Sequence, residues 1–135
     1  MNNMRKLLSL LIISSLVICA CAPDDESSPK SNNTTTSKVE KPTITVSTAV
    51  TSTTDFEVVF KVTSREYPSV TLHYGTTSSC NKSSSCRLYR DGAKTRFYKA
   101  AHTGFSKGTR IYFYGEATNS GGTSKTSVDY RITKR

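Results

Sequence analysis

Tryptophan is absent from the 135 residues, and histidine occurs only as His73 and His102. Neither histidine has a cysteine or a paired carboxylate at ligand or triad spacing. Acids are scarce: ten stand against nineteen Lys and Arg, for a net charge of +9. The six beyond residue 42 (Asp55, Glu57, Glu66, Asp91, Glu116, Asp129) occur singly. A hydrolase needs a nucleophile with an oriented base, or two carboxylates across a cleft. No such spacing is present, so the expectation is a non-enzyme without cofactor or metal; a small hydrolase or an enzyme inhibitor is the remote alternative. No apolar run reaches the roughly 20 residues that cross a bilayer.

What is present begins at the amino terminus. Arg5 and Lys6 precede a 12-residue run, Leu7–Ile18, apolar apart from Ser9, Ser14 and Ser15. Small residues follow. A charged start, a short apolar stretch and a small-residue exit mark a secretory signal peptide. Ile18-Cys19-Ala20-Cys21 resembles the lipobox of bacterial lipoproteins, where signal peptidase II cuts before a cysteine that becomes acylated. The resemblance implies a signal peptide over 1–20 and lipidation of Cys21, since small Ala20 precedes it whereas bulky Ile18 precedes Cys19. With about 0.8 kcal/mol per buried methylene, two or three acyl chains hold a protein at a membrane without a spanning helix. Ala22, rather than Asp, after the lipidated cysteine points to the outer membrane. Cleavage without lipid, or an uncleaved anchor, is the alternative.

Cys19 would leave with the signal peptide. Cys80 and Cys86 remain, an even pair in an oxidising compartment, and are expected to form a disulfide. A loop this short gives a bridge worth about 2 kcal/mol. A free thiol pair and a metal site are the alternatives, though zinc needs more ligands than two cysteines.

Residues 21–41 are rich in Ser, Thr and Asn and nearly free of apolar side chains. They cannot bury enough surface to offset ordering entropy and are expected to be a disordered tether. Its reach is roughly 25 Å as a coil and roughly 66 Å extended. Asp24-Asp25-Glu26 resembles the export signal by which some Bacteroidetes lipoproteins reach the cell surface; a solvated charged patch is the equal alternative.

From Pro42 the pattern has period two. Phe56, Val58, Phe60 and Val62 share one face, with Asp55, Glu57 and Lys61 on the other. Val70, Leu72 and Tyr74 alternate with Thr71 and His73. Ile111, Phe113 and Ala117 alternate with Tyr112, Tyr114 and Glu116. Val128, Tyr130 and Ile132 alternate with Asp129, Arg131 and Thr133. Ile44 and Val46 give a weaker first strand. Such alternation, broken by turn signals at 67–68, 91–92, 106–108 and 119–122, predicts half-buried strands. Residues 42–135 are therefore expected to form an all-β domain, an antiparallel β-sandwich of six to seven strands.

Residues 105–122, PheSerLysGlyThrArgIleTyrPheTyrGlyGluAlaThrAsnSerGlyGly, resemble the F-strand region of fibronectin type III domains. Phe105, Gly108, Thr109, Phe113, Ala117, Asn119 and Gly121 fall in register with that family's pattern. Val70–Gly75 and His102–Thr109 are similar to the variant at the amino terminus of purple acid phosphatases. Ile111 replaces the corner tyrosine, Lys107 a proline and Gly115 a core valine. The usual strand-B tryptophan is missing, and Phe60 is expected to fill its place. His102 falls at a core leucine, which implies a partly buried histidine. The resemblance implies fold; the phosphatase metal ligands belong to a separate domain.

Between Lys82 and Arg110 eight cations face one acid, Asp91, with Tyr89, Phe97 and Tyr98 interleaved. Arg87, Arg90, Arg96 and Lys99 are the candidate binding residues, for an anionic glycan or another polyanion. A solvated edge strand and a protein-binding rim are the alternatives. The implied partners are a membrane through the lipid anchor, and an anionic glycan or envelope protein; nucleic acid is disfavoured. Tyr112 and Tyr114 are candidates for stacking on sugar rings.

Overall fold

The computed structural model describes Ser37–Arg135; the expected signal peptide, Cys21, the acidic cluster and the expected tether up to Thr36 lie outside the described residues. The described chain is all-β. Its strands are β1 (Thr43–Thr51), β2 (Phe56–Thr63), β3 (Ser69–Gly75), β4 (Lys82–Ser85), β5 (Arg87–Arg90), β6 (Thr95–His102), β7 (Arg110–Asn119), β8 (Gly122–Lys125) and β9 (Asp129–Ile132). Every pairing is antiparallel. One sheet runs β1-β2-β6-β5; the other runs β4-β3-β7, with β8 and β9 both pairing along β7. This is the expected antiparallel sandwich. The strand count exceeds six or seven because β4 and β5 are short edge strands and the last strand is broken in two.

The period-two faces make the core. Phe56, Val58, Phe60 and Val62 of β2 are fully buried, as are Leu72, Ile111, Phe113 and Ala117. Phe56 packs on Phe113 with ring centroids 5.0 Å apart. Phe60 does occupy the centre, and the reason lies opposite. A Cβ on Gly115 would stand 2.5 Å from Phe60 Cε1, so the ring fills the volume that a β7 side chain would take. Large meets nothing across the sheets, which keeps packing dense without tryptophan.

The sandwich closes along one side. Thr51 Oγ1 donates to Ile132 O (2.8 Å), Lys134 N–H to Ser52 O (2.9 Å) and Arg131 Nε to Ala49 O (3.2 Å), joining β1 to β9. The other side is open: the chain leaves β4 in one sheet and enters β5 in the other, crossing at Cys86. Residues 37–41, the end of the expected tether, run against the β7–β8 turn. Asn119 Nδ2 donates to Glu40 O (2.8 Å), and a Cβ on Gly121 would collide with Val39 O.

Strand β9 keeps its period but inverts it. Lys125 pairs with Glu116 and Asp129 with Phe113, so four steps on one strand oppose three on β7. This one-residue bulge flips every later side chain. Thr126 fills the gap, donating its N–H to Gly115 O (2.9 Å) and accepting from Gly115 N–H at Oγ1 (3.0 Å). Val128, Tyr130 and Ile132 consequently face solvent. Thr133 is buried instead, donating to Ser106 O (2.7 Å) and accepting from Thr109 N–H (2.8 Å).

The expected Cys80–Cys86 disulfide is overturned. Both thiols are free. The segment between them is not a loop but β4, paired to β3. Cys80 lies against Gly75 at one end of β3, and Cys86 N–H donates to Val70 O (2.8 Å) at the other. Five strand steps separate those levels, roughly 16 Å, whereas a bridge needs Cα atoms within about 7 Å. Burial raises both thiol pKa values, that of Cys86 to about 12, so neither is a ready nucleophile.

Two outcomes follow from this packing. Gly115→Val should destabilise the protein by about 1–3 kcal/mol through overpacking, read by thermal denaturation, and Phe60→Leu in the same chain should recover part of that loss. Alkylation of the denatured, unreduced protein should modify both Cys80 and Cys86, read by peptide mass; thiols reached only after reduction would restore the bridge.

Candidate anion-binding face

Edge strand β5 decides where the basic residues point. Arg87 pairs with Lys99, Leu88 with Tyr98 and Arg90 with Phe97, so Tyr89 is the extra residue of a bulge. On β6, Tyr98 and Ala100 face the core while Phe97 and Lys99 face outward. Regular alternation would turn one of Tyr89 and Arg90 inward. The bulge sets both on the outer face: Lys99 Nζ lies 5.4 Å from the Tyr89 ring centre, and the Arg90 guanidinium 5.5 Å from that of Phe97. Tyr89 is 58% exposed.

Arg87, Arg90 and Lys99 thus share one face with Tyr89 and Phe97. The acid there is Glu57, bound by Lys99 Nζ at 2.7 Å. Among the described residues, Arg87 and Arg90 are exposed and make no ion pair. Two shallow clefts meet at Tyr89. One, of about 610 Å³, lies on the open side between β4 and β5 and is lined by Ser84, Ser85, Arg87, Leu88 and the end of β6 from Lys99 to His102. The other, of about 300 Å³, is lined by Ser47, Thr48, Glu57, Val59, Arg90 and Phe97.

Arg96 does not belong to this face. It is 5% exposed and turns inward beside Tyr98. Its Nε donates to Asp91 Oδ1 (3.0 Å), its Nη1 to Ser64 O (3.0 Å) and Glu66 O (3.3 Å), and its guanidinium lies 3.8 Å over the Tyr67 ring. Tyr67 Oη donates to Asp91 Oδ2, and this bond, with the Arg96 charge, holds the Asp91 carboxyl below its ordinary pKa. Arg96 is a structural cation that ties β6 to the β2–β3 and β5–β6 loops. Of the wider stretch, Lys107 and Arg110 lie apart, near the other sheet; Arg110 covers Tyr130 at 4.8 Å.

The open side is bridged by His102. Its ring stacks on Tyr74 (4.3 Å), and Nε2 lies 2.8 Å from Ser84 Oγ on β4. This is the partly buried histidine expected from the sequence. Burial, and then the charge of Lys82, lower its pKa. His73 faces outward, stacked on Tyr114 at 4.5 Å. Tyr112 and Tyr114 do point away from the core, but their surface offers no flat platform. His73 covers Tyr114, while Tyr112 meets Tyr130 at a 50° tilt. Among the described residues no three His, Cys, Asp or Glu side chains gather as a metal site. The bulge at Tyr89 escaped sequence reasoning: a single extra residue in a four-residue strand leaves no periodic trace.

No family model matches the chain, and no curated protein does. Among solved structures it is similar to a crystal structure of an engineered protein, with a TM-score of 0.51 and 16% identity. The match covers 70% of this chain and 20% of the other, so this chain spans about a fifth of that protein. A likeness at this level carries the fold and leaves function to the site.

The lowered His102 pKa has a definite sign. The unfolded chain binds the proton more readily, so stability is complete above the ordinary histidine value of about 6.5 and falls as pH drops below it. The lowered carboxylates, Asp55, Glu66 and Asp91, act only at more acid pH. Melting temperature should therefore fall between about pH 7 and pH 5, and His102→Gln should flatten that fall.

Proposed function

We propose that this chain is a membrane-anchored bacterial lipoprotein whose fibronectin type III-like sandwich is a non-catalytic module binding polyanions at the cell envelope. Anchoring rests on the lipobox-like Ile18-Cys19-Ala20-Cys21 and acylation of Cys21, with the outer membrane as location. The family reading is supported by the turn at Ser106–Thr109, where Gly108, one of the residues in register with the family's pattern, takes φ 72°, a conformation that favours glycine. One observation carries the binding reading: an edge-strand bulge sets Arg87, Tyr89 and Arg90 on one open face, free of any unpaired acid. Cations without internal partners attract anionic chains, and aromatic neighbours lower the local cost of desolvation.

The test is retention on a heparin matrix. Reversal of Arg87 and Arg90 to Glu should lower the eluting salt far more than reversal of Lys107 and Lys134, exposed cations outside this face. A generic basic surface would respond alike to both pairs. Arg96→Ala should act differently again, costing about 2–3 kcal/mol of stability through lost charge-assisted hydrogen bonds.

A second reading, protein contact within an envelope complex, is favoured by the outward stripe of Val128, Tyr130 and Ile132 on the opposite sheet. Exposed apolar patches of this kind mark interfaces. Binding through it would respond weakly to salt.

A further inference from the structure

The two clefts share a single wall, the Tyr89 side chain, and each holds one arginine: Arg87 on one side, Arg90 on the other. The bulge brings the two arginines level with Lys99 and Phe97, two strand steps apart on β6, roughly 7 Å. Hydroxyl groups line both ends, Ser84 and Ser85 in one cleft, Ser47 and Thr48 in the other. Lys99 sits between, engaged with Glu57 and facing the Tyr89 ring. Both clefts are shallow, so a ligand would enter and leave without being enclosed.

Resting on the polyanion reading, we propose that the β5 edge, with a cleft on either side of Tyr89, binds a linear acidic polysaccharide across two subsites. Each arginine takes one carboxylate or sulfate, and the sugar ring between them packs on Tyr89. A single phosphate or lipid headgroup would need one arginine and would leave the other cleft empty. Single-stranded nucleic acid calls for successive stacking rings along a basic track, whereas Phe97, the second ring of this face, is covered by Arg90 and leaves Tyr89 as the open one. Serine and threonine hydroxyls at both ends match a ligand rich in hydroxyl groups. Two linked weak contacts reinforce one another through effective concentration, so affinity should depend on chain length.

The experiment uses the purified full-length protein and a length series of oligogalacturonates from the disaccharide upward, titrated calorimetrically at low salt. Affinity should climb steeply until both clefts are filled and then level off. Arg87→Ala and Arg90→Ala should each weaken the long oligomer about tenfold, and the double variant should bind it no better than the disaccharide. Tyr89→Ala should cost several-fold on the long oligomer and little on the disaccharide; its circular dichroism should match the parent, since Tyr89 is an exposed bulge residue. Affinity independent of length, with Tyr89→Ala unchanged, would overturn the two-subsite proposal while leaving polyanion binding intact. Failure to bind any oligomer, together with equal heparin losses from both reversed pairs, would overturn both. Tighter binding of oligothymidylate through the same three residues would replace the polysaccharide with nucleic acid.

Discussion

The contact between Phe60 and Gly115 sets the distance between the sheets, and the remaining geometry depends on it. Sheets in a sandwich pack about 10 Å apart, and a phenylalanine ring needs space that a facing side chain would deny. Gly115 supplies it by lacking a Cβ, which would stand 2.5 Å from the ring. That vacancy has a cost in β7, where glycine neither packs nor favours an extended backbone. Thr126 compensates by binding both the N–H and the C=O of Gly115. The same residue occupies the bulge that inverts β9. One large-for-small exchange in the core is thus coupled to an outward apolar stripe on the last strand.

Edges explain the placement of charge. On the closed side, β1 and β9 satisfy one another through Thr51, Ser52 and Arg131. On the open side the chain jumps between sheets at Cys86, leaving β4 and β5 as opposed short edges. Exposed edges invite strand addition, and short length, bulges and cations are the usual defences. Strand β5 carries all three: four residues, a bulge at Tyr89, and arginines at both ends.

Much of this was legible from the sequence. Period-two alternation located β2, β3 and β7 and assigned their inward residues correctly, because both faces are fixed by one uninterrupted register. Phe60 is fully buried and His102 half-buried, the burial that the resemblance implied for each. Two of the failures share a cause. Alternation gives parity, and a single inserted residue reverses it without altering composition. The insertion before β9 turned Val128, Tyr130 and Ile132 outward, and the one at Tyr89 put Arg90 beside it. Arg96 misled for another reason: charge implies exposure, yet a guanidinium with two carbonyls, one carboxylate and one aromatic face is satisfied when buried. The paired cysteines misled because spacing was read as a loop, while four polar residues between them paired with β3.

The split of the basic stretch sharpens what its charge can do. Eight cations in sequence look like one patch, but buried Arg96 is neutralised by Asp91, and Lys99 by Glu57. Lys107 and Arg110 belong with the opposite sheet. Of the four candidate residues, what remains unpaired on the outer face is Arg87 and Arg90, with Arg90 held over Phe97. A diffuse field attracts at long range and is screened within roughly 8 Å at physiological salt. A guanidinium held in one orientation, as Arg90 is over Phe97, favours carboxylate and sulfate oxygens in defined directions, because its donors form a planar fork. Edge protection requires only that charge be present. Placing Arg90 over Phe97 and Tyr89 beside Lys99 adds an orientation that edge protection does not require.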